Sequence, residues 1–189
     1  MRKQRDLDHL PLSRHYIVRI AEDKEIPELA QLAERHIPGI VNGCEMARKV
    51  HLHHRGSVGA VVRDERIVGT VACLYLNSAG LAELRLGTFS FGAPEMSVLA
   101  FPGEAPAAIY VMALCLPGIA IGAIGNVMRW LQRPLYRHAD IFSRPNTFGG
   151  MRFGRAAGFV ESGFPTPGLW SYRRRPLSDF EYSSLEPFQ

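Results

Sequence analysis

The stretch AIYVMALCLPGIAIGAIGNVMRW, residues 108–130, decides how the chain is read, because no charged side chain occurs from Ala105 to Met128. Roughly 20 apolar residues suffice to span a bilayer core as a helix. A single spanning helix would put Pro117-Gly118, Gly122 and Gly125 at its centre. Membrane helices accept such residues where neighbouring helices re-satisfy the backbone, and the sequence offers no second span to do so. The two halves also differ. Residues 109–116 are apolar on both faces and partly β-branched, which predicts a strand buried in the middle of a sheet. Residues 122–132 carry Ile124, Val127, Met128 and Leu131 at helical spacing. Strand, glycine-bearing turn and helix account for the stretch without a membrane span. A protein anchored by this stretch is the competing reading, and it would need detergent.

The remaining composition narrows the class. A chain of 189 residues is expected to form one domain with its own core. A net charge of +4 is too small to argue for nucleic acid. The cations are mostly arginine, with Lys3, Lys24 and Lys49 the lysines. Arginine suits phosphate and carboxylate, though biased codon supply explains such a surface as well. Cys44, Cys73 and Cys115 are widely spaced and form no C-x-x-C pair. Neither a disulfide framework nor a metal site is expected, and a reducing cytoplasm is the default. The opening MRKQRDLDHLPLSRHY has no apolar core and is no secretory signal. Residues 1–15 are expected to be a flexible leader, 16–175 the domain, and 176–189 a polar tail.

Along the domain, residues 16–20 predict a strand. Asp23 is the expected N-cap of a helix carrying Ile26, Leu29, Leu32 and Ala33, which Pro38-Gly39 breaks. Residues 40–49 predict a weaker helix, followed by a polar HLHHRG segment. Residues 57–63 and 66–77 predict strands joined at Asp64-Glu65 by a tight hairpin. Residues 79–107, rich in glycine and proline, predict one strand near 81–91 and then a long loop of functional or mobile type. After the quoted stretch come a short strand at 139–142, a helix at 146–157 weakened by Gly149, Gly150 and Gly154, and a closing hairpin of 159–162 with 169–173.

A glycine-bearing turn feeding a helix presents unpaired N–H groups and the positive end of the helix dipole, which together bind anions. Neither G-x-x-x-x-G-K-[ST] nor G-x-G-x-x-G is present. The order of elements over residues 16–173 resembles the GNAT superfamily of N-acyltransferases. In that family the central strand is followed by V-x-P-x-x-[QR]-x-x-G-x-[GA], and LCLPGIAIGAIG aligns with it without gaps. Pro117 takes the proline place, Ala120 the Gln/Arg place, Ala123 the first glycine and Gly125 the last. Asn146 and Gly158-Phe159 match later family positions, whereas Gly154, beside Phe153, stands where the family carries a tyrosine. The resemblance implies an α/β fold: a single domain with a central mixed, mainly antiparallel, twisted sheet flanked by helices. It also implies acetyl-coenzyme A or another acyl-coenzyme A as cosubstrate, no metal, and a small-molecule amine or a peptide as acceptor. A homodimer is compatible with it.

By resemblance, Leu114, Cys115, Leu116, Ala120, Ile121, Gly122, Ala123, Gly125, Asn126, Asn146 and Phe153 are the candidate coenzyme-binding residues. The missing Gln/Arg leaves pyrophosphate to backbone N–H groups, and the missing tyrosine removes the family's proton donor to the thiolate. A longer acyl chain, a carrier-protein thioester or a non-catalytic binder would each fit these departures. Direct attack by an amine needs a base, and Glu83, on an expected neighbouring strand, is the candidate; Glu95 and Glu104 are weaker. Cys115 has no adjacent base or cation and reads as packing rather than as a nucleophile. His51, His53 and His54 are irregularly spaced for a metal and read as a solvated segment or part of an acceptor pocket. Asn146 reads equally well as a helix cap. Arg173-Arg174-Arg175 reads as a solvated cluster, and Trp130 and Trp170 as packing.

Overall fold

The computed structural model describes residues 10–40, 43–163 and 165–174. The expected tail and the first nine residues of the expected leader lie outside these. Seven strands form one sheet: β1 (Ile17–Ile20), β2 (Val58–Arg63), β3 (Arg66–Leu76), β4 (Ala108–Cys115), β5 (Asp140–Ser143), β6 (Val160–Glu161) and β7 (Trp170–Tyr172). Their order is β1-β2-β3-β4-β5-β7-β6, all antiparallel except the parallel pair β4–β5. The helices are α1 (Ile26–His36), α2 (Gly43–His53), α3 (Ser78–Leu86), α4 (Ile124–Leu131) and α5 (Phe148–Ala157). The quoted stretch therefore divides into β4, a 3-10 turn at Gly118–Ala123, and α4. Among the described residues no helix is long and apolar enough to cross a membrane.

Strand alternation divides the core. Val71, Cys73 and Tyr75 of β3 face Val127, Met128 and Leu131 of α4, whereas Ala72 faces Ile26, Leu29 and Ala33 of α1. This is the period of two that buries both faces of a central strand. The β2–β3 turn places Asp64 and Glu65 at φ of 49° and 62°, the left-handed pair that a two-residue hairpin needs to match strand twist. The β3–β4 register shifts by one residue, because Ala72 opposes Ala113 while Cys73 opposes Val111. Met112 is the extra residue of this bulge, and a bulge bends its strand.

Four expectations are corrected. Residues 78–86 form a helix, not a strand. Asn77 caps it by accepting the Gly80 N–H at 3.0 Å, and Gly87 ends it at φ 77°. The 3-10 turn before α1 is capped by Glu22, whose N–H is accepted by Glu25 at 2.8 Å, so Asp23 is not the cap. Residues 10–15 are docked rather than loose: Leu10 packs on the α4 core, and Asn126 holds Ser13 and Tyr16. Arg174 is not a solvated cation, since its guanidinium donates to the carbonyls of Tyr136 and Leu131. There it sits at the negative end of α4.

The histidine segment is also buried rather than solvated at two of its three positions. His51 is 1% exposed and His54 6%. His54 Nδ1 accepts the Gly56 N–H at 3.1 Å, and its Nε2 lies 3.3 Å from the Tyr136 hydroxyl. Tyr136 stacks on Tyr75 at 4.4 Å, and the Tyr75 hydroxyl donates to the Gly56 carbonyl at 2.9 Å. Arg133 lies over the Tyr136 ring and donates to the Tyr75 hydroxyl at 3.3 Å. This cluster ties the end of α2 to β3 and to the α4–β5 connection. The Trp130 and Trp170 side chains are buried, as expected of packing residues, and Tyr110 is buried too.

Candidate functional site

The site arises where two strands part. The parallel ladder of β4 with β5 ends at the pair Val111–Ser143, while β4 stays paired with β3 as far as Cys115. Pro145, just past β5, lacks an N–H and cannot extend the ladder. A cavity of about 420 Å³ opens in the gap. His36 and Ile37 border it from the end of α1. Ile124, Val127, Met128 and Leu131 of α4 form one wall, and Gly149, Gly150 and Phe153 of α5 another. The interior is hydrocarbon. Among the described residues, the polar side chains at its border are those of His36, Ser143, Arg144, Asn146 and Thr147, and no carboxylate lines it.

The physical capability of this gap follows from its backbone. Past Val111 the β5-facing edge of β4 has no strand partner among the described residues, so its N–H and C=O groups are available to an extended ligand as an added strand would use them. The apolar walls strengthen such hydrogen bonds by excluding water. An extended arm with amides and an apolar end suits this combination.

The candidate residues divide. Leu114, Cys115, Leu116, Ile121, Asn146 and Phe153 line the cavity. Ala120 and Ala123 are buried away from it. Gly122 faces the Tyr16 ring, where a Cβ would lie 3.2 Å from Cε2, and Gly125 faces the Pro11 carbonyl. Asn126 bonds the chain at Ser13 and Tyr16. Glu83 lies on α3, not on a strand beside β4, and does not line the cavity; the loop acids Glu95 and Glu104 do not line it either. Asn146 is not the cap of α5: Thr147 accepts the Gly150 N–H at 3.0 Å, and Asn146 donates to the Pro38 carbonyl. The Cys115 thiol is pushed up by burial and stays protonated, which fits packing rather than attack.

No protein-family model matches the sequence, and no curated protein is similar to it. Solved structures do match. The loading GNATL domain of CurA from Lyngbya majuscula superposes with a TM-score of 0.55, covering 85% of this chain and 98% of that one at 12% identity. An acetyl transferase from Salmonella typhimurium that modifies the N-terminal serine of ribosomal protein L7/L12 gives 0.52, with 87% and 98% covered at 12% identity. Naa50 from Arabidopsis thaliana, in complex with the bisubstrate analogue CoA-Ac-MVNAL, gives 0.50, with 83% and 96% covered at 15% identity. The chain has the GNAT fold.

Within that GNAT fold, sequence reading missed His36, the one imidazole on the cavity wall among the described residues, and Gly149 and Gly150, which line the same wall. A local signal for His36 existed only in part. Its position at the end of α1 was legible, but its proximity to β4 is a long-range contact.

Proposed function

We propose that the protein is an acyltransferase that moves an acyl group from a coenzyme A-type thioester to an amine by direct attack. The observation that carries this reading is the parting of β4 and β5 after Val111 and Ser143 around an apolar cavity. The pantetheine arm lies along the free edge of β4, and its amides replace the missing β5 partner. A β4 backbone N–H between Met112 and Cys115 polarises the thioester carbonyl, and that dipole is fixed before the reaction. His36 takes the proton of the attacking amine, alone or through one water. The C–N bond forms and the C–S bond breaks. The departing thiolate leaves without a dedicated acid and is protonated by solvent. The acceptor class is a small amine or a peptide N-terminus; the matched Salmonella typhimurium acetyl transferase modifies an N-terminal serine.

The test pairs binding with turnover. Thermal shift with coenzyme A, acetyl-coenzyme A and a longer acyl-coenzyme A reads binding. A ligand at a hundredfold excess over its Kd adds about 2.7 kcal/mol of stability. Thiol release in the presence of a panel of amines and peptides reads transfer. Binding with acceptor-dependent thiol release is the expected result.

A second reading has a specific support: among the described residues no carboxylate and no tyrosine lines the cavity. It makes the protein a binder of acyl thioesters without transfer. Binding with no thiol release for any acceptor selects it.

A further inference from the structure

The turn after β4 is a poor cradle for pyrophosphate. It is wound as a 3-10 helix from Gly118 to Ala123, in which the Ala120 N–H donates to the Pro117 carbonyl at 3.0 Å and the Ile124 N–H to that of Ile121. In this winding each N–H from the third residue on is spent three positions back. The open faces of Gly122 and Gly125 are covered by Tyr16 and Pro11. What the turn presents to solvent instead is hydrocarbon: Ile119 is 69% exposed and Ile121 54%. Across the cavity Phe148, the first residue of α5, is 72% exposed. Ile121 lines the cavity, Ile119 stands two residues before it, and Phe148 stands between the lining residues Thr147 and Gly149.

Arg144 lines the cavity, and Arg152 lies over the Phe148 ring at 5.8 Å. Arg144 is partly committed, since it donates to the Pro167 carbonyl at 3.0 Å and lies over Phe91. Among the described residues no carboxylate lines the cavity. Exposed apolar side chains beside cations, at a cavity lined by no carboxylate among the described residues, fit a protein surface that is apolar at its centre and acidic around it. They do not fit an adenosine diphosphate, which needs donors for four or so phosphate oxygens.

We infer that the donor is an acyl-pantetheine arm carried on an acidic carrier protein, which docks on Ile119, Ile121, Phe148 and Arg152, rather than a free acyl-coenzyme A. This rests on the function proposed above, because the same cavity takes the arm in both cases.

The experiment compares three probes with one acyl group: S-butyryl-pantetheine, butyryl-coenzyme A, and a butyryl-loaded acidic acyl carrier protein, each titrated calorimetrically. The expected result is affinities within threefold for the first two and at least tenfold tighter binding for the third. Ile119→Glu and Phe148→Glu should remove that tenfold gain and leave S-butyryl-pantetheine binding unchanged. Two results overturn the inference and leave the proposed function standing: butyryl-coenzyme A binding tenfold tighter than S-butyryl-pantetheine, or no gain from the carrier. Binding of none of the three overturns the proposed function itself.

Discussion

Asn126 Oδ1 accepts the backbone N–H of Ser13 at 3.0 Å, and its Nδ2 donates to the Ser13 carbonyl at 3.0 Å and to that of Tyr16 at 2.9 Å. One amide thus satisfies three backbone groups from a segment more than a hundred residues away. The first turn of α4 is used to hold the chain N-terminal to β1.

Asn126→Ala is expected to lower stability by about 1–3 kcal/mol, because it leaves partly buried backbone groups unpaired. Urea denaturation reads the loss, and limited proteolysis reads earlier cutting near residues 10–15. Unchanged stability and cutting would show that the segment is not held by this amide.

Val111 is the last β4 residue paired with β5, and its side chain lines the cavity. Val111→Phe fills that space. Binding of a longer acyl thioester is expected to weaken at least tenfold while coenzyme A binding falls less. Calorimetric titration of both ligands checks this. Equal affinity for wild type and variant would place the acyl group elsewhere.

His36→Ala is expected to lower kcat about 10²–10⁴-fold, the usual contribution of a positioned base. The KM for the thioester should change little, since the imidazole acts on the amine. His36→Ala with wild-type kcat at neutral pH would remove it from the mechanism.

Acid should weaken the fold before the carboxylates titrate. Burial holds His51 and His54 below the ordinary histidine value of 6.5, with the cations Arg55 and Arg133 acting in the same direction. Among the described residues neither ring nitrogen of His51 has a hydrogen-bond partner, although Nε2 lies 3.3 Å from Asp23. A depressed histidine pKa means that the unfolded chain takes up the proton first. The stability contribution is complete above pH 6.5 and is lost as pH falls below it, until the folded pKa is passed. Glu25, held down to about 2 by Arg19, adds a loss only below its ordinary value of 4.5. Melting temperature is therefore expected to drop between pH 7 and pH 5, and the double variant His51→Asn/His54→Asn should flatten that drop. A drop of the same size in the variant would assign it to other groups.

The amino-acid pattern alone determined the strand–turn–helix reading of residues 108–130, the β2–β3 hairpin at Asp64-Glu65, and the order of elements from β4 to β7. Each is written in local periodicity, in turn residues or in a run of apolar side chains. The helix α3 was also written locally, in the Asn77 cap and the Gly87 stop, but a glycine- and proline-rich surrounding masked it. Tertiary structure alone decided which faces of these elements meet. It turned Gly122, Gly125 and Asn126 toward residues 11–16, carried Glu83 away from the cavity, and brought His36 to its border. It also parted β4 from β5 at Val111 and Ser143. The physical reason is that a period along the chain specifies which side chains share a face, while the partner of that face is chosen by contacts between residues far apart in sequence.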